Sequence, residues 1–227
     1  MDATDNYRER FFELLIAMQP ASVLDVGCGD GELLRRLDGQ VARLSGVDTD
    51  AMRVNIAQRS GLNVIRADAL QLSFDDDEFD FVVGQYTAHH MHAAMPATAE
   101  ALRVARRGVM MLDVWYDRSM PAQKNSARFD GWSKRIDEDN GEIHRPVQSL
   151  IDIAGPWLHA ADYRIAAEYW QVGDIAPLTE MESTAESQLL RSCHPKRDRR
   201  EWEKIRDRAL QTGFGIEGAI LVTILKR

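Results

Sequence analysis

Apolar residues recur along this chain in two rhythms. Phe11, Leu14, Leu15 and Met18 follow helical spacing, which predicts a helix over 5–19, capped by Thr4 or Asp5 and stopped by Pro20. The short apolar run Val23 to Val26 reads as a strand, and Leu33, Leu34 and Leu37 mark a helix ending at Gly39. Strands are then expected from Ala42 to Val47, closing at Asp48, and from Asn63 to Ala67, closing at Asp68, with a helix from about Asp50 to Gly61 between them. Asp75-Asp76-Asp77-Glu78 is a solvated turn before a strand over Phe79 to Gly84. A helix carrying Leu102 and Val104 leads through Gly108 to a strand from Val109 to Trp115.

Strands alternating with helices predict an α/β fold: a doubly wound, mostly parallel sheet with helices on both faces. Ligands of such sheets bind at the carboxyl ends of the strands, where Asp25, Asp48, Asp68 and Asp113 all fall. Tyr116 to Arg145 breaks the rhythm. It is polar and carries Pro121, Gly131 and Gly141, so a lid or irregular insertion is expected over 116–145. A helix from about Pro146 to Ala160, a strand from Tyr163 to Val172, a charge-rich helical insertion over 184–210 and a closing strand from Ala219 to Leu225 complete a single domain over 1–227.

Composition narrows the function classes. The net charge of -8, from 28 basic and 36 acidic residues, argues against a general nucleic-acid-binding surface. No segment approaches the roughly 18 to 20 apolar residues that span a bilayer. The first residues, Met1 to Asn6, lack the basic start and apolar run of a signal peptide. Cys28 and Cys193 are too few for a disulfide framework, and a cytoplasmic, reduced protein is the simplest expectation.

The densest chemistry lies in Val23-Leu24-Asp25-Val26-Gly27-Cys28-Gly29-Asp30-Gly31-Glu32. A strand ends in an acid, turns through three glycines at alternate positions and enters a helix, whose free N–H groups favour an anionic group such as a carboxylate. The spacing is not the G-x-G-x-x-G of a dinucleotide fingerprint. It resembles the first motif of the class I S-adenosylmethionine-dependent methyltransferases, and further matches follow in order. By that resemblance the sheet has seven strands with the last antiparallel. Gly27 and Gly29 pass their backbone against the methionine moiety of S-adenosylmethionine, Asp25 holds its amino group, and Cys28 is a small loop residue.

Asp48 closes the second strand beside Thr49. A carboxylate there can accept both hydroxyls of a ribose, as the family's acid does, or serve as a helix cap, although Asp50 is better placed to cap. The family also places an acid at Asp68 for the adenine amine, with the next backbone N–H, that of Ala69, on a ring nitrogen. Gln85-Tyr86-Thr87-Ala88-His89-His90-Met91 follows the fourth strand, where many small-molecule members carry a loop and a histidine pair. Gln85 is expected at the cofactor, and Tyr86 and His89 at the acceptor. His89 or His90 is a candidate base, or else a core histidine bonded to a carbonyl. His89, His90 and His92 are too close in sequence to converge on one ion, so no metal is expected. Trp115 and Tyr116 end the fifth strand beside the expected acceptor. Tyr7, on the first helix, folds over the same cavity in similar enzymes.

The basic run His194 to Arg200 reads as a solvated helix start or a site for an anionic substrate. The resemblance implies in-line methyl transfer to an oxygen, nitrogen or sulfur of a small molecule, since the Asn/Asp-Pro-Pro-aromatic signature of exocyclic-amine nucleic-acid methylases is missing. The long stretch before the last strand is a candidate substrate cover or homodimer contact. A catalytically silent regulatory partner and a nucleotide-dependent oxidoreductase are the alternatives.

Overall fold

Strands that are apolar on both sides can be buried on both faces, and such strands form the middle of the seven-stranded central sheet, with more exposed strands at its edges. The computed structural model describes residues 3–145, 149–171 and 173–227. The first half runs α1 (Ala3–Ala17), β1 (Ser22–Val26), α2 (Glu32–Leu37), β2 (Arg43–Asp48), α3 (Ala51–Arg59), β3 (Val64–Arg66), β4 (Phe79–Gln85), α4 (Ala94–Val104) and β5 (Ala105–Trp115). The second half adds α5 (Pro121–Asp139), α6 (Leu150–Ala154), β6 (Tyr163–Trp170), β7 (Ile175–Ala176), α7 (Leu178–Arg191), α8 (Pro195–Thr212), β8 (Phe214–Gly215) and β9 (Gly218–Lys226).

The sheet order is β3-β2-β1-β4-β5-β9-β6. The pairs among β3, β2, β1, β4 and β5 are parallel, and β9 runs antiparallel between β5 and β6. The expected seven-stranded, Rossmann-like sheet with its last strand antiparallel is therefore present. Strand order reverses at β1, so a crevice opens between the ends of β1 and β4.

Alternate residues of each strand serve opposite faces. Leu24, Val82, Val109 and Val222 pack under α4 and α6. Val23, Phe81, Met110 and Leu221 pack under α1 and α2 with Tyr7, Phe11, Leu15, Leu33 and Leu37. These two cores hold the strand ends, and thus the loops, at fixed heights.

Several boundaries differ from expectation. Helix α1 runs from Ala3 to Ala17, which places Thr4 and Asp5 in its first turn. The helix expected to reach Ala160 is α-helical only from Leu150 to Ala154, opened by a Ser149–Asp152 capping box and followed by a 3₁₀ turn at Gly155–Trp157, where Pro156 lacks a donor. Its expected start at Pro146 and the expected end of the next strand at Val172 lie outside the described residues.

The largest correction concerns 116–145. It is not an irregular insertion, because 19 of its residues form α5. Phe129, Trp132 and Ile136 on α5 join Leu189 of α7, Trp202 and Ile205 of α8 and Phe214 in a separate apolar core. Buried polar side chains on the same helix, Gln123, Asn125, Ser126, Lys134 and Asp137, dilute the apolar period and hide it. The expected helical insertion over 184–210 is two helices, divided at Ser192–His194 with Pro195 opening the second. Among the described residues no helix is long and apolar enough to cross a membrane.

Candidate active site

The turn after β1 is clasped to the neighbouring strand. Gly27 and Cys28 N–H both donate to Val47 O, at 2.8 and 3.0 Å. Gly27 has φ +71°, and a Cβ there would lie 2.0 Å from Thr87 Oγ1. Only glycine satisfies both conditions. Asp48, at the end of β2, completes the clasp. Its Oδ2 accepts from Gly29 N–H at 2.8 Å and its Oδ1 from Asp50 N–H at 2.9 Å. Asp50 caps α3, accepting from Met52 and Arg53 N–H as its sequence position suggests. Ala67 N–H donates to Asp48 O at 3.1 Å, and Asp68 Oδ1 accepts from Leu70 N–H at 2.9 Å. Each acid thus shapes its own loop while keeping acceptor capacity for a ligand.

These loops surround a cavity of about 650 Å³. Asp25, Gly27, Cys28, Gly29, Asp48, Thr49, Asp68, Ala69, Gln85, Tyr86 and His90 line it, so one crevice unites residues drawn from three expected strand ends and the β4 turn. Asp25 is 3% exposed. Burial, and then the Asp48 charge, push its carboxyl pKa up to about 8. An acid held this way ionises readily only when a cation sits beside it. The Cys28 thiol is also pushed upward, by burial and then by Asp25 and Asp48, which leaves it unreactive.

The other end of the cavity is a histidine wall. Tyr86, at φ +53°, swings the chain out of β4 into the 3₁₀ turn Ala88–His90. His90 and His92 line the cavity, whereas His89 is buried behind them. His89 Nδ1 pairs with Asp113 Oδ1 of β5, and His89 N–H donates to Asp113 Oδ2 at 3.0 Å. His90 Nδ1–H donates to Ile143 O at 3.1 Å. Burial, and then His89, hold the His90 pKa below the usual histidine value, with the Ile143 carbonyl and Asp113 opposing. Glu142 and Ile143 line the cavity too, and Arg145 N–H donates to His89 O at 2.6 Å. The segment after α5 is therefore laced to the histidine pair.

Four expected residues do not line this cavity: His89, which lies behind His90, and Tyr7, Trp115 and Tyr116. Tyr7 packs in the core against Trp170, with ring centroids 6.1 Å apart, and its neighbour Arg8 lines the cavity in its place. Trp115 lies against Tyr169 at 4.9 Å, and Tyr116 is buried. Sequence reading missed Arg8, and it held Thr87, Glu142 and Ile143 only as members of the β4 loop and the expected lid, without singling them out. Helical spacing offers a hint for Arg8, because it lies one position beyond the apolar face that carries Tyr7; no local signal marks the others. Within the basic run, Arg197 pairs with Asp139 and the buried Asp198, and Arg199 with Glu186.

Residues 24–112 match the family model described as "Methyltransferase domain". Over those residues the chain is similar to methyltransferase domains. An uncharacterized methyltransferase of Mycobacterium tuberculosis is 36% identical over 98 residues, 40% of this chain and 50% of that protein. A demethylmenaquinone methyltransferase of Thermobifida fusca is 31% identical over 121 residues, 50% of each. A probable tRNA methyltransferase 9B of Mus musculus is 35% identical over 111 residues, 47% of this chain and 24% of that protein. This chain thus spans about half the length, or less, of these curated relatives. The crystal structure of the YcgJ protein of Bacillus subtilis superposes with a TM-score of 0.63 at 21% identity, covering 96% of this chain and 99% of that one, which shows the fold. The matched stretch includes the glycine turn, Asp48, Asp68 and the histidine pair, and the match is to methyltransferases, not to the oxidoreductase alternative.

Proposed function

We propose that this protein is an enzyme that methylates a small molecule, using S-adenosylmethionine bound in the 650 Å³ cavity. The observation that carries the reading is one cavity lined by the buried Asp25 carboxyl, the glycine turn, Asp48 and Asp68 together. Asp25 suits the ammonium of a methionine moiety. Arg8, on the cavity rim, suits that moiety's carboxylate. Asp48 and Thr49 face the ribose, and Asp68 with the Ala69 N–H faces the adenine. When bound, the cofactor supplies a methyl group on a positively charged sulfur, ready for in-line attack.

The chain's own contribution is position and a dry cavity. Gln85 and Tyr86 align the middle of the site. The histidine wall marks the acceptor end, where His90 on the lining activates the acceptor, backed by His89, which Asp113 orients. Glu142 and Ile143 line the cavity with His90, and a volume of about 650 Å³ suits a small acceptor more readily than a polynucleotide. The relatives' names span both kinds of acceptor, so the size of the cavity is what favours the small molecule.

The test is ligand selectivity. S-adenosylhomocysteine should raise the melting temperature by mass action, while NAD leaves it unchanged. A response to NAD and none to the sulfur nucleoside overturns the reading.

A further inference from the structure

Three imidazoles meet at the acceptor end. One ring nitrogen from each of His89, His90 and His144 lies within 4.8 Å of those of the other two. The sequence places His92 in this group, but the fold replaces it with His144, from the segment after α5. The rings lie against one another, with centroids 4.3 Å apart for His89–His90, 4.6 Å for His90–His144 and 5.4 Å for His89–His144.

In every ring Nδ1 is already engaged. Its partner is the Asp113 carboxylate for His89, the Ile143 carbonyl for His90 and, at 2.7 Å, the Asp137 carboxylate for His144. Asp113 and Asp137 are themselves buried. Such partners hold the proton on Nδ1 and leave the lone pair on Nε2. A histidine that binds a metal characteristically donates its other N–H to a carboxylate or a backbone carbonyl, which fixes the ring and its tautomer. All three rings meet that condition, whereas one buried histidine satisfied for packing alone would need no companions.

We propose that His89, His90 and His144 hold a divalent transition-metal ion through their Nε2 atoms. Imidazole nitrogen favours zinc, iron, cobalt or nickel over magnesium or calcium. Three protein ligands leave a fourth position open, as in catalytic zinc sites, and His90 on the cavity lining turns that position toward the acceptor. Metal–nitrogen bonds of about 2.0–2.1 Å set tetrahedral nitrogens about 3.3 Å apart, so the rings draw together as the ion enters. The site rests on the proposed acceptor end and deepens it by naming the acceptor as a hydroxyl compound. An ion lowers the pKa of a bound hydroxyl, whose proton passes to solvent water. The oxygen then forms the C–O bond as the S–CH₃ bond breaks, and that electron pair returns to sulfur as a neutral thioether.

Tag-free full-length protein, stripped with a chelator, is titrated with Co²⁺ and Zn²⁺ and followed by visible absorption and calorimetry. One Co²⁺ per chain with d–d bands that Zn²⁺ displaces is expected. Both His144→Ala and His144→Gln lose these bands and still respond to S-adenosylhomocysteine in a thermal shift. His92→Ala keeps them, and Asp113→Asn binds metal about 10–100-fold more weakly. No stoichiometric uptake by the intact protein, or uptake that survives both His144 substitutions, overturns the metal site. A normal response to S-adenosylhomocysteine in that case leaves the methyltransferase reading standing, so the two failures are distinguishable.

Discussion

The two ends of the cavity are built in opposite ways. At the glycine end, residues 25–69 supply all of the lining but Arg8 through turns after three adjacent parallel strands, tied by backbone bonds such as Gly27 N–H to Val47 O. At the histidine end, the turn after β4, Asp113 of β5, Asp137 of α5 and the segment at 142–145 converge from separate elements. The first end is made of backbone shape and therefore tolerates few residue types. The second is made of side chains held by other side chains, and any of these can be exchanged without rebuilding the sheet. A fold that keeps one ligand and changes its acceptor needs this division.

The sharpest way to break the comparison is at Gly27. Gly27→Val places a Cβ where Thr87 Oγ1 stands 2.0 Å away and forces a β-branched residue to φ +71°. Strain of about 1–3 kcal/mol is expected, together with loss of S-adenosylhomocysteine binding beyond calorimetric detection. No single substitution at the histidine end should do this, because Nε2 groups there lie outside the glycine turn. A Gly27→Val protein that binds normally would show that the turn does not approach the ligand.

The same contrast explains what was legible beforehand. The succession of strands along the chain and the positions of Asp25, Gly27, Asp48 and Asp68 could be read because each depends on neighbours in sequence. The cap at Asp50 was readable for the same reason. Helix α5 was not, since Gln123, Asn125, Lys134 and Asp137 interrupt its apolar stripe and become buried only through contacts made elsewhere in the fold. His144 was invisible as a site residue, because its proximity to His89 exists only after the chain after α5 folds back. Tyr7 failed in the opposite sense. Its position on α1 was read well enough, but rotation by one residue turned Arg8 to the cavity and Tyr7 to Trp170.

Asp48 and Asp50 sharpen the account of the glycine end. Asp48→Ala should weaken S-adenosylhomocysteine binding by roughly 1.5–3 kcal/mol, about ten- to 150-fold, as a lost charge-assisted acceptor. Because Asp48 also accepts from Gly29 and Asp50 N–H, the melting temperature should fall as well. Asp50→Ala should cost on the order of 1 kcal/mol of stability as a lost cap and leave binding intact. Calorimetry and melts on the two variants decide this, and reversed effects would mean that Asp50, not Asp48, faces the ribose.

Asp25 adds a pH dependence confined to that end. With its pKa raised to about 8, the carboxyl is protonated at neutral pH and must release a proton to pair with an ammonium group. Affinity for S-adenosylhomocysteine should rise with pH toward 8 and level off above it, changing by at most about tenfold per pH unit, with proton uptake by buffer visible in calorimetry. Asp25→Asn should remove this slope. A slope that persists in the variant would assign it to another group.

The smallest effect concerns mobility at the histidine end. The expected lid over 116–145 divides in the structure: α5 is packed against α7 and α8 through Phe129, Trp132 and Ile136, while 142–145 touches the histidine pair and the cavity. Only the second part has backbone bonds that local opening can break without disturbing an apolar core. Adding S-adenosylhomocysteine should therefore slow hydrogen exchange a few-fold at 142–145, through contacts at Glu142 and Ile143, and leave the α5 core unchanged. Protection that rises along the whole of α5 would mean that the helix itself closes on the ligand, and the two ends of the cavity would then share one moving part. Exchange unchanged at 142–145 would mean that this segment is already closed before the ligand arrives, with the acceptor admitted past Arg8 on the opposite rim.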